Sequence, residues 1–437
     1  MKTYYAGGII LAVAGALTLF SFSNHGQKAK KRTTYRTMPM GCVFRTVMGE
    51  ESVDSSFLYF TPESADRAVQ GGLSWIIQAQ HPSGGWGSGS HSRQDVMDPH
   101  AVQADPATTA MATMALLRSG HSLNRGEYTD VMRRALKYLL EAVESSSEQS
   151  STITNQTGTQ IQIKLGVNID VILTSQFLSN LLDGHLEFDP QLKTRVRNAN
   201  AMCIRKIQRS MDKNGSIQGS GWAGVLQSSF ATNAMEAAQA QGVAVDDKAL
   251  EKAREFQKSN FDSKTGDVKT ELGAGVMLYA VTGSARASAK EARRVDEEIK
   301  AAKKDGRLSQ QAAPSASNLE KLGYSPEEAM KYATAYEVYQ SAKVKAQQDE
   351  VMDGFGSNGG EEFLSYLQTG ESMIIGKDNA WKKWYDNTSG RLVKIQNNDG
   401  SWSGHHCITS PVFCTSTCLL ILSVNNDVDR LTAQGAK

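Results

Sequence analysis

The sequence lacks an excess of either charge. It carries 47 basic and 46 acidic residues, a formal net charge of +1 over 437 residues. A chain this balanced has no electrostatic footprint for nucleic acid, and we expect no nucleic-acid partner. Proline is also scarce, at nine residues. Because proline breaks helices, its rarity beside abundant alanine, glutamine and leucine favours an all-α fold.

Common catalytic strings are missing as well. The sequence contains neither a Walker A phosphate-binding string nor the His-Glu-x-x-His string of zinc metalloproteases. Cysteines are few, at Cys42, Cys203, Cys407, Cys414 and Cys418. Because their number is odd, at least one thiol has no disulfide partner within the chain.

The N-terminal segment has the layout of an export signal. Lys2 precedes an apolar run over residues 8–20, and small residues follow. We interpret residues 1–23 as a signal peptide or membrane anchor that engages the membrane at least transiently. The run is short for a bilayer span, whereas the basic residues at 28–32 oppose clean export orientation. We expect an exported protein, periplasmic or anchored on the extracytoplasmic side, with a polar linker or arm over residues 24–65.

A pattern begins near residue 66 and recurs along the chain. It consists of an outer helix, a glutamine-containing turn, a loop with glycine and an aromatic residue, and an inner helix of small residues. The two clearest copies share the string Gln-x3-Gly-x-Trp, at Gln80, Gly84 and Trp86 and again at Gln396, Gly400 and Trp402. A helical pattern that starts with proline follows each copy, and proline suits the first turn of a helix.

Four weaker copies fill the interval, over residues 131–184, 198–242, 248–283 and 326–376. In the second of them we take Trp222 as the counterpart of the motif tryptophan. The charged run over residues 284–322 breaks the pattern, and we expect it to be a solvated helical excursion on the outside.

These repeats resemble those of the prenyltransferase/squalene-cyclase (squalene oxidase) repeat superfamily, over residues 66–425. The resemblance implies an all-α fold of the α6/α6 toroid type, a double ring of about six helix pairs, with residues 426–437 as a C-terminal tail. It also implies a cavity at the N-terminal ends of the inner helices. The glutamine and tryptophan of each motif would tie loop to helix by hydrogen bonds and stacking, and they would be structural residues.

The last repeat holds a candidate metal site. His405, His406, Cys407 and Cys414 lie within one short segment, and imidazole and thiolate are the usual zinc ligands. Resemblance to protein prenyltransferases would put Cys414 in the place of a zinc-binding histidine. The acidic ligand would then come from Glu362 or its neighbour Glu361, and ring closure would add His100 and Asp105. Zinc is the cofactor that this hypothesis predicts.

Two alternatives to a metal site remain open. In an oxidising compartment a disulfide between Cys407 and Cys414, with Cys418 one helical turn beyond, uses the same residues. The thiols can also be unpaired packing groups. Glu361 and Glu362 are equally suited to complementing the dipole at a helix N-terminus.

The acid motifs of squalene-type cyclases, Asp-x-Asp-Asp and Asp-Cys-Thr-Ala-Glu, are absent, and aromatic residues make up only 7%. That fraction is low for a cavity that stabilises carbocations through cation–π contacts. The leading hypothesis is therefore a non-catalytic, exported toroid that binds a protein partner or a hydrophobic small molecule. The alternatives are a metal-dependent enzyme with a His/Cys site in the last repeat, and a divergent terpene cyclase or prenyltransferase-like enzyme.

Overall fold

The computed structural model describes residues 60–219, 221–354, 356 and 358–436. The predicted signal or anchor at 1–23 and the arm as far as residue 59 lie outside these ranges. So does Cys42.

Every regular element in the described ranges is a helix, accompanied by isolated β-bridges such as Trp86 with Asp105. In chain order the first eight helices are α1 (Glu63–Gln78), α2 (Pro106–Arg118), α3 (Thr129–Ser145), α4 (Gln160–Lys164), α5 (Ile169–Leu182), α6 (Pro190–Arg209), α7 (Gly224–Ala240) and α8 (Asp247–Lys258). The next eight are α9 (Met277–Lys304), α10 (Ala316–Lys321), α11 (Pro326–Lys345), α12 (Asp349–Met352), α13 (Gly360–Ile375), α14 (Trp381–Lys394), α15 (Pro411–Leu422) and α16 (Val428–Ala436). The all-α class is confirmed. No helix among the described residues is long and apolar enough to cross a membrane.

The helices divide into two sets by burial. In α1, α3, α6, α8, α11 and α14 one face is buried and the other is exposed. Helix α3 shows the cause, because its buried Met132, Leu136, Leu139 and Val143 recur at three- and four-residue spacing. In α2, α5, α7, α13 and α15 nearly every residue is buried, as it is in the first half of α9. Of these six inner helices, α2, α7 and the first half of α9 are rich in Ala, Ser and Thr, which allow helices to approach closely.

The inner helices contact one another in a closed cyclic order. Helix α2 packs against α5, α5 against α7, α7 against α9, α9 against α13, and α13 against α15. Helix α15 then packs back against α2. The described part of the chain therefore returns to its first inner helix.

Short helices cover both ends of this inner ring. Helix α4 lies at the N-terminal end: the Gln160 Oε1 accepts from the backbone N–H of Ser410 at 3.1 Å, and the backbone N–H of Ala223 donates to the Lys164 carbonyl at 2.7 Å. Those contacts tie α4 to the starts of α15 and α7. Helix α16 packs on α13, α9 and α7 at the other end. The segment interpreted as a tail thus contains a packed helix.

The prediction of a solvated charged run after residue 284 is wrong for the first turns of that run. Residues 277–304 form the single helix α9, in which Arg286 and Arg293 are 3% and 6% exposed. The Arg286 guanidinium donates to Glu236 on α7 at 3.0 Å. Helix α9 is an inner helix in its first half. Its buried Arg286 is paired by a carboxylate of the neighbouring inner helix α7, and Arg293 pairs with Glu297 of α9 itself and donates to the Thr432 carbonyl.

Candidate metal centre

The two clear motif copies make the same tryptophan contacts. Each indole is fully buried and donates to a carbonyl of the preceding outer helix at 2.8 Å, Trp86 to Ile76 and Trp402 to Leu392. Burial of a tryptophan requires a partner for its single N–H, and both copies meet that need in the same way. In both, the tryptophan backbone N–H donates to a threonine of the following inner helix.

The glutamines of the two copies link neighbouring repeats. The Gln80 Nε2 donates to the Gly84 carbonyl at 2.7 Å and to the Val131 carbonyl of α3 at 3.0 Å. The Gln396 Nε2 donates to the Gly400 carbonyl at 2.8 Å and to the Ala68 carbonyl of α1 at 2.9 Å. Each glutamine thus binds its own loop and the next outer helix, and for Gln396 the next outer helix is the first one.

In the weaker copy at 198–242, the residue that takes the place of the motif tryptophan is not the one we expected. Gly215 has φ +94° and lies so close to the Lys252 carbonyl of the next outer helix that a Cβ would not fit. Gly84 approaches α3 in the same way. The residue two positions later is Ile217, which is buried and donates its backbone N–H to Ser228 of the inner helix at 3.0 Å. Trp222 is 63% exposed instead. The spacing Gly-x-apolar, rather than the presence of tryptophan, was the usable signal.

The loop before α15 lies over the first turn of α13. The backbone N–H of His405 donates to the Asn358 carbonyl at 2.7 Å, and the N–H of Gly360 donates to the Ile408 carbonyl at 3.0 Å. Cys407 sits between these bonds with φ +62°, a left-handed conformation. The loop therefore holds His406 and Cys407 beside the acidic first turn of α13.

Three ligand-type side chains converge there. One ligand atom each from Glu361, His406 and Cys407 lie within 4.8 Å of one another. Glu361 is 2% exposed and accepts the backbone N–H of Ile408 at 3.3 Å. The neighbouring Glu362 lies 3.9 Å from the His406 Nε2. The sequence offered Glu362 or its neighbour Glu361 as the acidic ligand, and the residue that joins the histidine and the thiol is Glu361.

The electrostatics of the cluster follow from burial and like charge. Burial, together with the charge of Glu362, raises the pKa of Glu361 to about 7. Burial and Glu361 raise the pKa of the Cys407 thiol to about 12. Burial and Glu362 also raise the pKa of Tyr279, whose hydroxyl donates to Glu362 at 2.8 Å. Burial is the largest cause of all three shifts, and the neighbouring carboxyl groups add to it.

The other predicted ligands lie outside this group of three. The His405 ring meets the His406 ring in an edge-to-face arrangement, with centroids 6.2 Å apart. His100 is exposed on a short 3₁₀ helix, Pro99–Ala101. Asp105 is fully buried as the N-cap of α2, where its carboxylate accepts from Thr108 and Ser88.

The thiols of the last repeat are free in the structure. Cys407, Cys414 and Cys418 are unpaired, and the Cys414 Sγ donates to the Ile408 carbonyl at 3.4 Å. The Cys407–Cys414 disulfide stays a prediction for the oxidised protein.

Sequence reasoning missed Lys164. It is the last residue of α4, is 4% exposed, and its positive charge opposes the rise in the pKa of Cys407 and of Glu361. Its ammonium also lies 4.0 Å from the centroid of the Trp222 ring. Helix α4 directly follows the Ser-rich stretch at 145–160, and nothing in its sequence connects it with the last repeat.

A second buried acid lies at the same end of the ring. Asp170, in the first turn of α5, accepts from the Ala107 N–H at 3.1 Å and from the Gln162 side chain at 2.8 Å. Burial and the charge of Asp105 raise the pKa of Asp170 to about 7. These two carboxyl groups serve helix starts and lie apart from the three converging ligands.

Residues 44–165 match the family model of the squalene-hopene cyclase C-terminal domain. The resemblance to the prenyltransferase/squalene-cyclase superfamily is confirmed. The match includes the first motif copy and ends before α5, so the His-Cys loop of the last repeat lies outside it. Comparison with curated proteins and with solved structures gave no significant match.

Proposed function

We propose that this protein is an exported α6/α6 toroid that binds a zinc ion through Glu361, His406 and Cys407. The observation that carries the proposal is the convergence of these three ligand atoms from two separate segments. The cyclic order of the inner helices and the bond from Gln396 to α1 support the toroid.

The donor set fits zinc. Carboxylate oxygen, imidazole nitrogen and thiolate sulfur are its usual ligands, at about 2.0–2.3 Å from the metal. Bringing the three atoms from 4.8 Å to the spacing of a tetrahedral site requires them to contract by about 1 Å, which side-chain rotation supplies. A divalent cation would also offset the repulsion between Glu361 and Glu362.

Three protein ligands are typical of catalytic rather than structural zinc sites, because one position remains for water or substrate. When bound there, zinc would polarise that ligand. The His406 side chain is 25% exposed, so the site has access to solvent. This arrangement favours the metal-dependent enzyme over the non-catalytic toroid. A hydrophobic small molecule is less favoured, since α4 and α16 cover both ends of the inner ring.

Metal analysis of the purified full chain tests the proposal. We expect about one zinc per chain, and an affinity at least about tenfold weaker in Cys407→Ser and in Glu361→Gln. Cys203→Ser is the matched control, because Cys203 is a buried thiol on α6 and its loss should leave zinc binding unchanged. Equal zinc affinity in wild type and Cys407→Ser would exclude this site.

Export is a separate part of the proposal and rests on Lys2 and the apolar run at 8–20. We expect cell fractionation to recover the protein outside the cytoplasm, and replacement of Leu11 and Val13 by aspartate to retain it inside. An unchanged distribution in that variant would contradict export through this segment.

A protein partner remains a second candidate, because apolar side chains are exposed together near α4. Trp222 is 63% exposed and Val167 is 44% exposed, and the Val167 N–H donates to the Gly219 carbonyl close by. We expect a specific partner to co-purify with wild type and to be lost from the Trp222→Ser, Val167→Ser variant. Retention of that partner by the variant would remove the surface from consideration.

A further inference from the structure

We infer that a cavity between outer helix α14 and inner helix α13 binds a small carboxylate with an apolar body, such as a medium-chain fatty acid. The cavity has a volume of about 260 Å³, which suits a ligand smaller than a typical drug molecule. None of its lining residues belongs to the candidate zinc site. The inference therefore goes beyond zinc binding and does not depend on it.

Helix α14 presents one face to this cavity. Four residues line it at the spacing i, i+3, i+4 and i+7 of a single helix face, namely Thr388, Arg391, Leu392 and Ile395. Thr388 and Leu392 are 2% and 1% exposed, whereas Ile395 is 38% exposed. The cavity therefore extends from the protein interior to solvent along the last two turns of α14.

The neighbouring helices contribute apolar side chains. Met352 at the end of α12 and Tyr366 of α13 line the cavity, and both are buried. The Tyr366 hydroxyl is already used, because it donates to the Met352 carbonyl at 2.8 Å. Together with Leu392 and Ile395, these side chains offer an apolar surface to the body of a ligand.

Two polar groups of α14 have hydrogen-bonding capacity to spare. The Thr388 hydroxyl is buried and has no partner among the residues that the structure describes. A buried hydroxyl without a partner costs free energy, and a ligand oxygen that accepts from it would recover that cost. Arg391 donates from Nη2 to the exposed Asp349 at 2.9 Å, which leaves its other guanidinium donors for a carboxylate.

The charges of the lining favour an anion. Two cations, Arg391 and Lys394, line the cavity against one carboxylate, that of Asp353. Hydrogen bonds from a guanidinium or ammonium group to a carboxylate are stronger than those between neutral groups. A ligand with one carboxylate on an apolar body would therefore match both the charged and the apolar parts of the lining.

Calorimetric titration of the purified full chain with octanoate tests this inference. We expect saturable binding of octanoate. Octylamine has the same apolar body and the opposite charge, and it should not bind. Octanol has no charge and should bind at least about tenfold more weakly than octanoate.

A double variant identifies the site. Arg391→Met combined with Lys394→Met should weaken octanoate binding at least about tenfold, and both side chains are exposed enough to replace without loss of the fold. Lys383→Met is the matched control, because Lys383 is an exposed lysine of α14 that does not line the cavity. Its affinity for octanoate should equal that of wild type.

Thr388→Val separates a ligand-binding role from a structural one. Loss of the hydroxyl should weaken octanoate binding about tenfold, while the denaturation midpoint of the ligand-free protein should not fall, because the hydroxyl has no partner to lose. A lower midpoint with unchanged octanoate affinity would overturn the role of Thr388 in binding. Absence of octanoate binding, or equal affinity in wild type and the Arg391→Met, Lys394→Met variant, would overturn the inference as a whole.

Discussion

The two ends of the inner helices differ in their buried charged groups. At the N-terminal end lie the buried carboxyl groups of Asp105, Asp170, Glu361 and Glu362. Toward the C-terminal end lie the buried guanidinium groups of Arg118 and Arg286. The four carboxyl groups and Arg118 complement the helix dipole, which favours anions at helix starts and cations at helix ends, whereas Arg286 lies in the interior of α9.

The ends differ in how completely those charges are paired. The Arg118 guanidinium donates to Glu371 at 2.6 Å and to Asp427 at 2.5 Å, and Arg286 and Arg254 both donate to Glu236. Arginines consequently lower the pKa of Asp427 and of Glu236 despite burial. At the other end the pKa values of Glu361 and Asp170 are raised. The paired end stabilises the fold, and the carboxyl-rich end is the one at which we propose that a cation binds.

The largest effect on the free energy of unfolding is expected from removing one of the paired arginines at the C-terminal end of the inner helices. Arg118→Met leaves Glu371 and Asp427 partly buried without their shared cation, and removal of one partner from a buried ion pair costs about 3–5 kcal/mol. Chemical denaturation should show this loss in the free energy of unfolding. Arg67→Met, which removes an exposed pair with Glu63, should change it by less than about 1 kcal/mol. Similar small changes in both variants would refute the contrast between the paired end and the surface.

A smaller loss of stability is expected at the contact between the last repeat and the first, which we call the seam. Gly400 has φ +93°, and a Cβ there would lie 2.6 Å from the Gly71 carbonyl oxygen of α1. Gly400→Ala should therefore lower the free energy of unfolding by about 1–3 kcal/mol.

Gly390→Ala is the matched control for that variant. Gly390 is an exposed interior residue of α14 with open space around a Cβ, so alanine should stabilise the protein by about 0.5–1 kcal/mol. Thermal and chemical denaturation of both variants should give opposite signs. A change of the same sign in both variants would show that the close approach to α1 does not restrict position 400 to glycine.

The smallest effect concerns pH at the carboxyl-rich end. The pKa of Asp170 is raised from 3.8 to about 7 on folding, so the folded state holds this proton more tightly than the unfolded state. The resulting stabilisation is complete below about pH 4 and is lost as the pH rises to about 7.

Asp170→Asn removes that titration. The free energy of unfolding of wild type relative to Asp170→Asn should fall as the pH rises from 4 to 7, because the folded state holds the Asp170 proton more tightly than the unfolded state. Denaturation at several pH values measures the difference. A difference that is constant over this range, or that rises with pH, would contradict the raised pKa.

Much of the architecture was predictable because the repeat motif performs one local task. A glycine in a left-handed conformation and a large apolar residue two positions later recur at the turns before α2, α7 and α15, and Trp86 and Trp402 make this visible. The superfamily resemblance followed from those spacings. Trp222 misled because a tryptophan near the expected position is a weaker signal than the spacing from Gly215.

The candidate site was predictable in part. His406 and Cys407 adjoin in the sequence, so their chemistry was evident without a structure. The choice of Glu361 over Glu362 depends on the direction in which α13 starts, since one carboxyl group meets the loop and the other meets Tyr279. Lys164 arrives from a segment whose position over the ring depends on long-range contacts.

The bond from Gln396 to Ala68 joins residues separated by 328 positions. During synthesis, α1 emerges early, but its neighbour on that side is made only when the chain is nearly finished. Such late, long-range pairing slows folding and leaves an apolar helix face uncovered in the meantime. A chain that stops before residue 396 never completes this seam. We therefore expect nascent or truncated chains to depend on chaperones far more than the full-length protein does.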